Sequence, residues 1–195
     1  MTIAFQPEYN AIVKFYGDKR AERSGVLLIN HIEEGLEILS LIGANMDAMR
    51  AYCLHPMIQD DMPLYDMSNN DILFSFSPRV VLLAMEYRQR ANAWLSPKVY
   101  KNGVMTMKNQ VMTPFICYDG MPYAGNLPEV RHMLIADKVQ NYKDFLKYHL
   151  IGHNRSEELD FYFKKWLEHL EIDTGSAGVG PNSFHWLCNQ LEWNK

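Results

Sequence analysis

Two histidines and an aspartate fall on three separate segments that each have the apolar spacing of an α-helix. His31 lies in the apolar stripe of residues 29–42, and His55 follows 24 positions later, at the end of another such segment. Asp137 lies far downstream, in an apolar segment that begins at Pro128. Apolar residues at intervals of three and four bury one face of each helix, which favours a helical bundle. Two imidazoles and a carboxylate on separate apolar helices are typical of a buried divalent-metal site.

The composition is that of an ordinary globular protein. The chain has 195 residues, of which 48% are hydrophobic and 22% charged, enough for one domain with a hydrophobic core. Its net charge is −4 and its basic residues are scattered, so we expect no nucleic-acid partner. No apolar run reaches the ~18 residues that span a bilayer, and the first residues do not have the features of a signal peptide. We therefore expect a cytoplasmic protein with no membrane contact, in the host cytoplasm if a phage encodes it.

The remaining patterns also favour an all-α fold. Further helices are predicted for residues 9–20, 46–55, 78–95, 154–170 and 184–193. Residues 154–157 have the capping-box pattern that opens a helix. A loop is predicted where Pro63 precedes the polar residues 68–71.

Residues 98–127 interrupt the helical pattern. Short β-branched and aromatic runs flank Asn102-Gly103, a dipeptide typical of tight hairpin turns. We predict a small inserted β-hairpin or lid there, within a helical domain of residues 1–172. Residues 173–195 are predicted to form a glycine-rich linker and a C-terminal helix that docks on this domain.

The residue that follows His55 affects both the helix and the site. Pro56 has no N–H and disfavours helical geometry at the preceding residue, so the helix is predicted to kink or stop at His55.

Neutral imidazole nitrogens and a carboxylate suit Mn²⁺, Fe²⁺ or Zn²⁺, which acidify a bound water and polarise a phosphoryl oxygen. The spacing leaves a simpler interpretation open, in which His31 and His55 only pack in the core or on the surface. Glu34, one turn after His31, either lies on the helix surface, or orients that histidine or supplies a carboxylate to the site.

Three segments resemble, in the same order, motifs of the hydrolase domain of RelA/SpoT homologues, which include small single-domain alarmone hydrolases. Residues 23–31 are similar to the R-x-S/T-G-x-P-Y-x-x-H opening of that domain. Residues 51–60 are similar to its A-x-L-L-H-D-x-x-E-D segment, and residues 135–141 to its L-A-D-R-x-x-N segment. The resemblance covers roughly residues 9–60 and 128–170.

The resemblance implies an all-helical HD-type domain that binds Mn²⁺ and removes pyrophosphate from the 3′ position of guanosine tetra- or pentaphosphate. The family's metal ligands correspond to His31, His55 and Asp137. The family's positions around the nucleotide correspond to Arg23, Ser24, Lys138 and Asn141. From the residues alone, Arg23 is also consistent with a solvated loop charge, and Asn141 with an amide on a helix surface.

The second of these segments departs from the family pattern at its catalytic positions. Pro56 replaces the aspartate of the His-Asp pair, which removes one implied metal ligand. Gln59 stands where the family has a catalytic glutamate, and an amide is not a general base at neutral pH. Asp60 keeps its position and Asp61 adds a second carboxylate, so these two residues are the candidates for positioning water in catalysis.

Three functions are consistent with these observations. The first is a metal-dependent phosphohydrolase that acts on a nucleotide or a nucleotide pyrophosphate. The second is a catalytically inactive relative that binds a nucleotide without cleaving it. The third is a helical interaction protein that binds a partner protein through residues 98–127 and the C-terminal tail. A homo-oligomer is compatible with all three.

Overall fold

The computed structural model describes residues 3–22, 24–95, 127–151, 153–175 and 178–193. Within these ranges the secondary structure is helical, with two isolated β-bridges and no strand, so the predicted all-α class is confirmed for them. The α-helices are α1 (Pro7–Tyr16), α2 (Ile29–Leu41), α3 (Met46–Gln59), α4 (Asp61–Asn69), α5 (Pro78–Leu95), α6 (Pro128–Asp144), α7 (Ser156–His169) and α8 (Phe184–Trp193). The predicted hairpin of residues 98–127 lies outside the described ranges, apart from Leu127 at the start of α6.

Helix α3 occupies the centre of the bundle. It packs against α1, α2, α4, α5 and α6, and α2 also packs against α6. Apolar residues occur around the whole circumference of α3, as expected for a core helix with neighbours on most sides. The C-terminal helix α8 contacts α2 and α6. This arrangement places α2, α3 and α6, which carry the two histidines and Asp137, side by side.

Local signals set the turn between α2 and α3. Gly43 has φ +72°, a left-handed conformation that glycine adopts without steric cost. The Asn45 side chain accepts a hydrogen bond from the Ala48 N–H at 2.9 Å and so caps α3. The cap fixes where α3 begins, and therefore which of its residues face α2 and α6.

Helix α1 is tied to α3 through a buried ion pair. Glu8 is fully buried, and its two carboxylate oxygens accept hydrogen bonds from Arg50 at 2.8 and 3.0 Å. Paired hydrogen bonds from a guanidinium satisfy a carboxylate that would otherwise be costly to bury. The contact holds α1 against the bundle, and the C-terminal end of α1 reaches the pocket described below.

Of the kink or stop predicted at His55, the stop is wrong, because α3 continues through Pro56 to Gln59. A proline inside a helix removes one backbone hydrogen bond and costs about 3 kcal/mol when nothing compensates. The bond removed here is the one that the carbonyl of Tyr52 would accept from position 56. A side chain replaces that donor, and the burial of the surrounding α3 residues favours the continued helix.

The predicted loop around Pro63 and residues 68–71 is also wrong over most of its length. Helix α4 runs through Asn69, and residues Ile72–Ser75 form a short 3-10 turn. Pro63 is the third residue of α4, where a backbone N–H has no partner within the helix, so the proline is tolerated.

Helix α7 begins near the predicted position but without the predicted capping box. Its N-cap residue is Arg155, whose side chain does not cap the helix. The Arg155 N–H instead donates to Nδ1 of His153 at 3.0 Å.

None of the helices in the described ranges is both long and apolar enough to cross a bilayer.

Candidate metal centre

His31, His55 and Asp137 lie close enough together to hold a metal ion. The Nε2 atoms of the two histidines are 3.2 Å apart. Oδ1 of Asp137 lies 3.6 Å from the first of these nitrogens and 3.9 Å from the second. Two of the three side chains are buried, since only 2% of His55 and 5% of Asp137 are exposed. The His31 side chain is 20% exposed.

The three separations fit the size of a first-row divalent ion. A tetrahedral ion with ligands at about 2.1 Å places its ligand atoms about 3.4 Å apart. The observed separations of 3.2, 3.6 and 3.9 Å lie around that value. Three protein ligands also leave at least one coordination position for water or substrate, as in catalytic rather than structural metal sites.

A backbone carbonyl orients the imidazole of His55. Nδ1 of His55 lies 2.6 Å from the carbonyl oxygen of Tyr52, which can only accept, so Nδ1 carries the proton. In the neutral ring, Nε2 therefore presents its lone pair to the centre of the site. Burial, together with the nearby His31 and Lys138, lowers the pKa of His55 to about 3, which keeps the ring neutral at physiological pH.

Two neighbours hold the carboxylate of Asp137 on α6. The ammonium of Lys138 donates to Oδ2 at 2.7 Å, and the side-chain amide of Asn141 donates to Oδ1 at 2.8 Å. Burial alone raises the pKa of Asp137, but Lys138 and the two imidazoles outweigh burial and hold the pKa at about 2. The carboxylate is therefore ionised at neutral pH, as a metal ligand must be.

Close packing of Tyr52 against Gly35 lets α2 and α3 meet at the site. A Cβ atom at position 35 would lie 2.2 Å from the Tyr52 hydroxyl oxygen. That hydroxyl lies 3.4 Å from Nε2 of His31, and the rings of Tyr52 and His55 are 4.5 Å apart. Glycine is required at position 35 because any larger side chain would displace the tyrosine that contacts both histidines.

A pocket of about 610 Å³ opens onto the three candidate ligands. The predicted site residues that line this pocket are His31, His55, Asp137, Ser24, Asp60, Lys138 and Asn141. Its aromatic wall consists of Phe15, Tyr16, Phe145, Tyr162 and Phe163. The pocket therefore combines a polar floor with an apolar wall, which is usual for a small-molecule site.

Lys138 and Asn141, the two residues of α6 that are predicted to contact a nucleotide, both contact Asp137. Lys138 is buried, pairs with Asp137, and lies 5.1 Å from the ring of Trp166. Burial by itself lowers the pKa of Lys138, but the charge of Asp137 raises it above its usual range, so the ammonium stays charged. Lys138 and Asn141 therefore hold the carboxylate of Asp137, and both residues also line the pocket.

The remaining predicted residues have different surroundings. Asp60 lies at the junction of α3 and α4 and lines the pocket, as does Gln59. The carboxylate of Asp61 is 91% exposed, contacts Arg88 and does not line the pocket. Ser24 lines the pocket, and its hydroxyl accepts from the Val26 N–H at 3.3 Å. Arg23 lies outside the described residues.

Two further residues of the site were not predicted from the sequence. Gln140 contacts His31 through its side-chain amide, with 2.6 Å between Oε1 and Nδ1. Tyr16, at the end of α1, lines the pocket, and its pKa is raised by burial and then by the charges of Asp137 and Asp60. The spacing of three residues from Asp137 places Gln140 near the polar face of α6, but only the α2 contact shows its role.

No protein-family model matches this chain, and neither the curated proteins nor the solved structures contain a significant match. The chemistry of the site therefore rests on the donor atoms, charges and pocket described above.

Proposed function

We propose that this protein is a metal-dependent phosphohydrolase of the RelA/SpoT hydrolase type that acts on a nucleotide or a nucleotide pyrophosphate. The observation that carries the proposal is the convergence of three lone-pair atoms, from His31, His55 and Asp137, at the floor of a pocket of about 610 Å³. The order of the three segments that resemble that family supports it, because each contributes a residue to this pocket.

The donor set favours Mn²⁺, Fe²⁺ or Zn²⁺ over Ca²⁺, which prefers oxygen ligands. Such an ion, held by the three residues, supplies a Lewis acid that polarises a phosphoryl oxygen and acidifies water. His55 contributes a neutral nitrogen and Asp137 a negative charge, and Lys138 and Asn141 keep the carboxylate in place.

The residues around the ligands have separate roles in the proposed reaction. Asp60 is the carboxylate on the α3–α4 side of the pocket, and we assign it the positioning of water. Tyr16 lies near the carboxylates of Asp137 and Asp60, and we assign its phenol the donation of a hydrogen bond to a substrate oxygen. The wall formed by Phe145 and Phe163 offers apolar surface on which a planar base can stack.

One observation favours a second candidate function, nucleotide binding without cleavage. Gln59 lines the pocket beside Asp60, and its amide does not take up a proton at neutral pH. If Asp60 does not position water, the site retains the metal and the nucleotide but has no base. This alternative shares the metal site with the first and differs only in turnover.

The metal content of the purified protein tests the proposal. Wild type, His31→Ala, Asp137→Asn and Asp60→Ala are purified without a metal-binding tag, and Mn, Fe and Zn are measured by mass spectrometry. We expect about one ion per chain in wild type and Asp60→Ala, and a loss in the two ligand variants. Asp60→Ala is the matched control, because this carboxylate lines the same pocket but is not one of the three converging ligands.

A nucleotide panel then separates the two functions. Release of phosphate or pyrophosphate by wild type and not by Asp60→Ala supports hydrolysis. Metal-dependent thermal stabilisation by a nucleotide with no release supports binding alone. Absence of metal from wild type, even after incubation with excess Mn²⁺, overturns both.

A further inference from the structure

The side-chain amide of Gln140 connects His31 to two carboxylates. Its Oε1 lies 2.6 Å from Nδ1 of His31. Its Nε2 donates to Oδ2 of Asp144 at 2.8 Å and to Oε2 of Glu34 at 3.3 Å. Gln140 is only 1% exposed, so these contacts satisfy an amide that has almost no access to water.

The two carboxylates determine which way the amide faces. A carboxylate only accepts hydrogen bonds, so the NH₂ group of Gln140 has to point towards Glu34 and Asp144. The amide oxygen therefore faces His31, and an oxygen only accepts. Nδ1 of His31 consequently carries a proton, and in the neutral ring Nε2, the nitrogen that faces His55 and Asp137, has a free lone pair.

A lysine stabilises the charge of both carboxylates. The ammonium of Lys143 forms a short ion pair with Glu34 and lies 3.6 Å from Oδ1 of Asp144. Glu34 is 2% exposed and Lys143 is 9% exposed. The ammonium compensates the negative charge of both carboxylates, which accept the two hydrogen bonds of the Gln140 amide. Glu34, one of whose predicted roles was to orient His31, contacts it through Gln140.

We propose that Gln140 is the positioning residue of the metal centre, and that it selects Nε2 of His31 as the ligand atom. Glu34, Asp144 and Lys143 act on His31 through this amide. The consequence for metal affinity rests on the proposed function, whereas the consequence for the His31 tautomer does not. His55 has the equivalent contact from a backbone carbonyl, whereas the contact of His31 comes from a side chain, which a substitution removes directly.

Removal of the amide should reverse the tautomer of His31. In Gln140→Met, Nδ1 loses its acceptor, while Nε2 still has the Nε2 atom of His55 at 3.2 Å. The proton is then better placed on the Nε2 atom of His31, where it donates to His55. A metal has to displace that proton before it binds, and loss of such an orienting contact typically weakens metal binding by about 10- to 100-fold.

The test measures the tautomer in metal-free protein and the affinity for Mn²⁺ alone. Protein labelled with ¹⁵N-histidine is studied by NMR in chelator at pH 8.5, with His31 assigned from the signal lost in His31→Asn. We expect protonated Nδ1 in wild type and protonated Nε2 in Gln140→Met. A Mn²⁺ titration, followed by electron paramagnetic resonance of the free ion, should show the loss of affinity.

The matched control is Val139→Ala, which creates a cavity at the buried residue next to Gln140 on the same helix. Both variants lower the free energy of unfolding, but only Gln140→Met should change the His31 tautomer. The proposal is overturned if wild type has Nε2 protonated, or if Gln140→Met keeps both the wild-type tautomer and the wild-type affinity. If no variant binds Mn²⁺, the proposed function fails, and the tautomer measurement still decides the role of Gln140.

Discussion

The carbonyl oxygen of Tyr52 accepts a hydrogen bond from Nδ1 of His55 at 2.6 Å, where an unbroken helix would use the N–H of residue 56. Residue 56 is proline and has no N–H to donate. Pro56 therefore frees the carbonyl that orients His55. Nε2 of His55 consequently faces Nε2 of His31 and the carboxylate of Asp137.

Replacement of Pro56 by alanine should stabilise the fold and weaken metal binding. Alanine restores an N–H that competes with His55 for the Tyr52 carbonyl, so the imidazole loses its exclusive acceptor. We expect the free energy of unfolding to rise by roughly 1 to 3 kcal/mol, because a proline in a helix interior costs about that amount. Urea unfolding and Mn²⁺ titration measure the two effects.

Pro63→Ala is the control for this substitution. Pro63 lies in the first turn of α4, where its missing N–H costs nothing, so neither stability nor Mn²⁺ affinity should change much. Unchanged Mn²⁺ affinity in Pro56→Ala would show that the Tyr52 carbonyl does not control the ligand.

The metal-free protein should lose stability as the pH falls below 6.5. The pKa of His55 is 6.5 in an unfolded chain and about 3 in the folded protein, mainly because of burial. The unfolded state binds more protons between these values, so the contribution is fully present above pH 6.5 and is lost as the pH falls towards 3. The full difference corresponds to on the order of 5 kcal/mol.

Urea unfolding in chelator between pH 7.5 and 4.5 measures this dependence. In His55→Gln the slope with pH should be much smaller, whereas the exposed His185, changed to glutamine, should leave it as in wild type. Equal slopes in wild type and His55→Gln would contradict a buried, neutral His55.

Substitution of Gly35 by alanine should destabilise the protein and disturb the site. The new Cβ would lie 2.2 Å from the Tyr52 hydroxyl oxygen, so the tyrosine or the two helices have to move. Overpacking of this kind costs about 1 to 3 kcal/mol. The free energy of unfolding and Mn²⁺ affinity should both fall. Ser40→Ala, on the exposed face of the same helix, should leave both nearly unchanged, and a neutral Gly35→Ala would show that the packing is loose.

Of the two adjacent aspartates, Asp60 should affect turnover, whereas Asp61 should affect only a contact on the protein surface. Asp60 lines the pocket, whereas Asp61 is exposed and contacts Arg88. If the proposed hydrolysis occurs, Asp60→Asn should lower kcat by about 100-fold or more, as expected when a group that positions water is lost. Asp61→Asn should remove only the Arg88 contact. Phosphate release from the nucleotide panel measures both, and a larger loss in Asp61→Asn would reverse the assignment.

The sequence predicts the local parts of this site because they depend on short-range patterns. The apolar period predicts α2 and α6, which carry His31 and Asp137. The spacing of ligand-type residues indicates a metal site for the same reason. Arg23 and the predicted hairpin at residues 98–127 stay predictions, since the structure does not describe them.

The sequence could not predict the parts that depend on contacts between distant residues. The amide of Gln140 meets His31 across 109 positions of the chain, and no local pattern encodes that contact. The continuation of α3 through Pro56 depends on the core around it, which outweighs the local preference of proline. The pairing of Lys138 with Asp137 likewise depends on how deeply both side chains are buried.

By itself the sequence determined a helical chain with two histidines and an aspartate on separate apolar helices. Periodicity and residue type are local properties, so they are already present before the chain folds. Only the tertiary structure decided that the three side chains converge, and which nitrogen of His55 faces the centre of the site. That choice depends on a hydrogen-bond acceptor placed by the packed helices, in a core where an unpaired polar atom costs free energy.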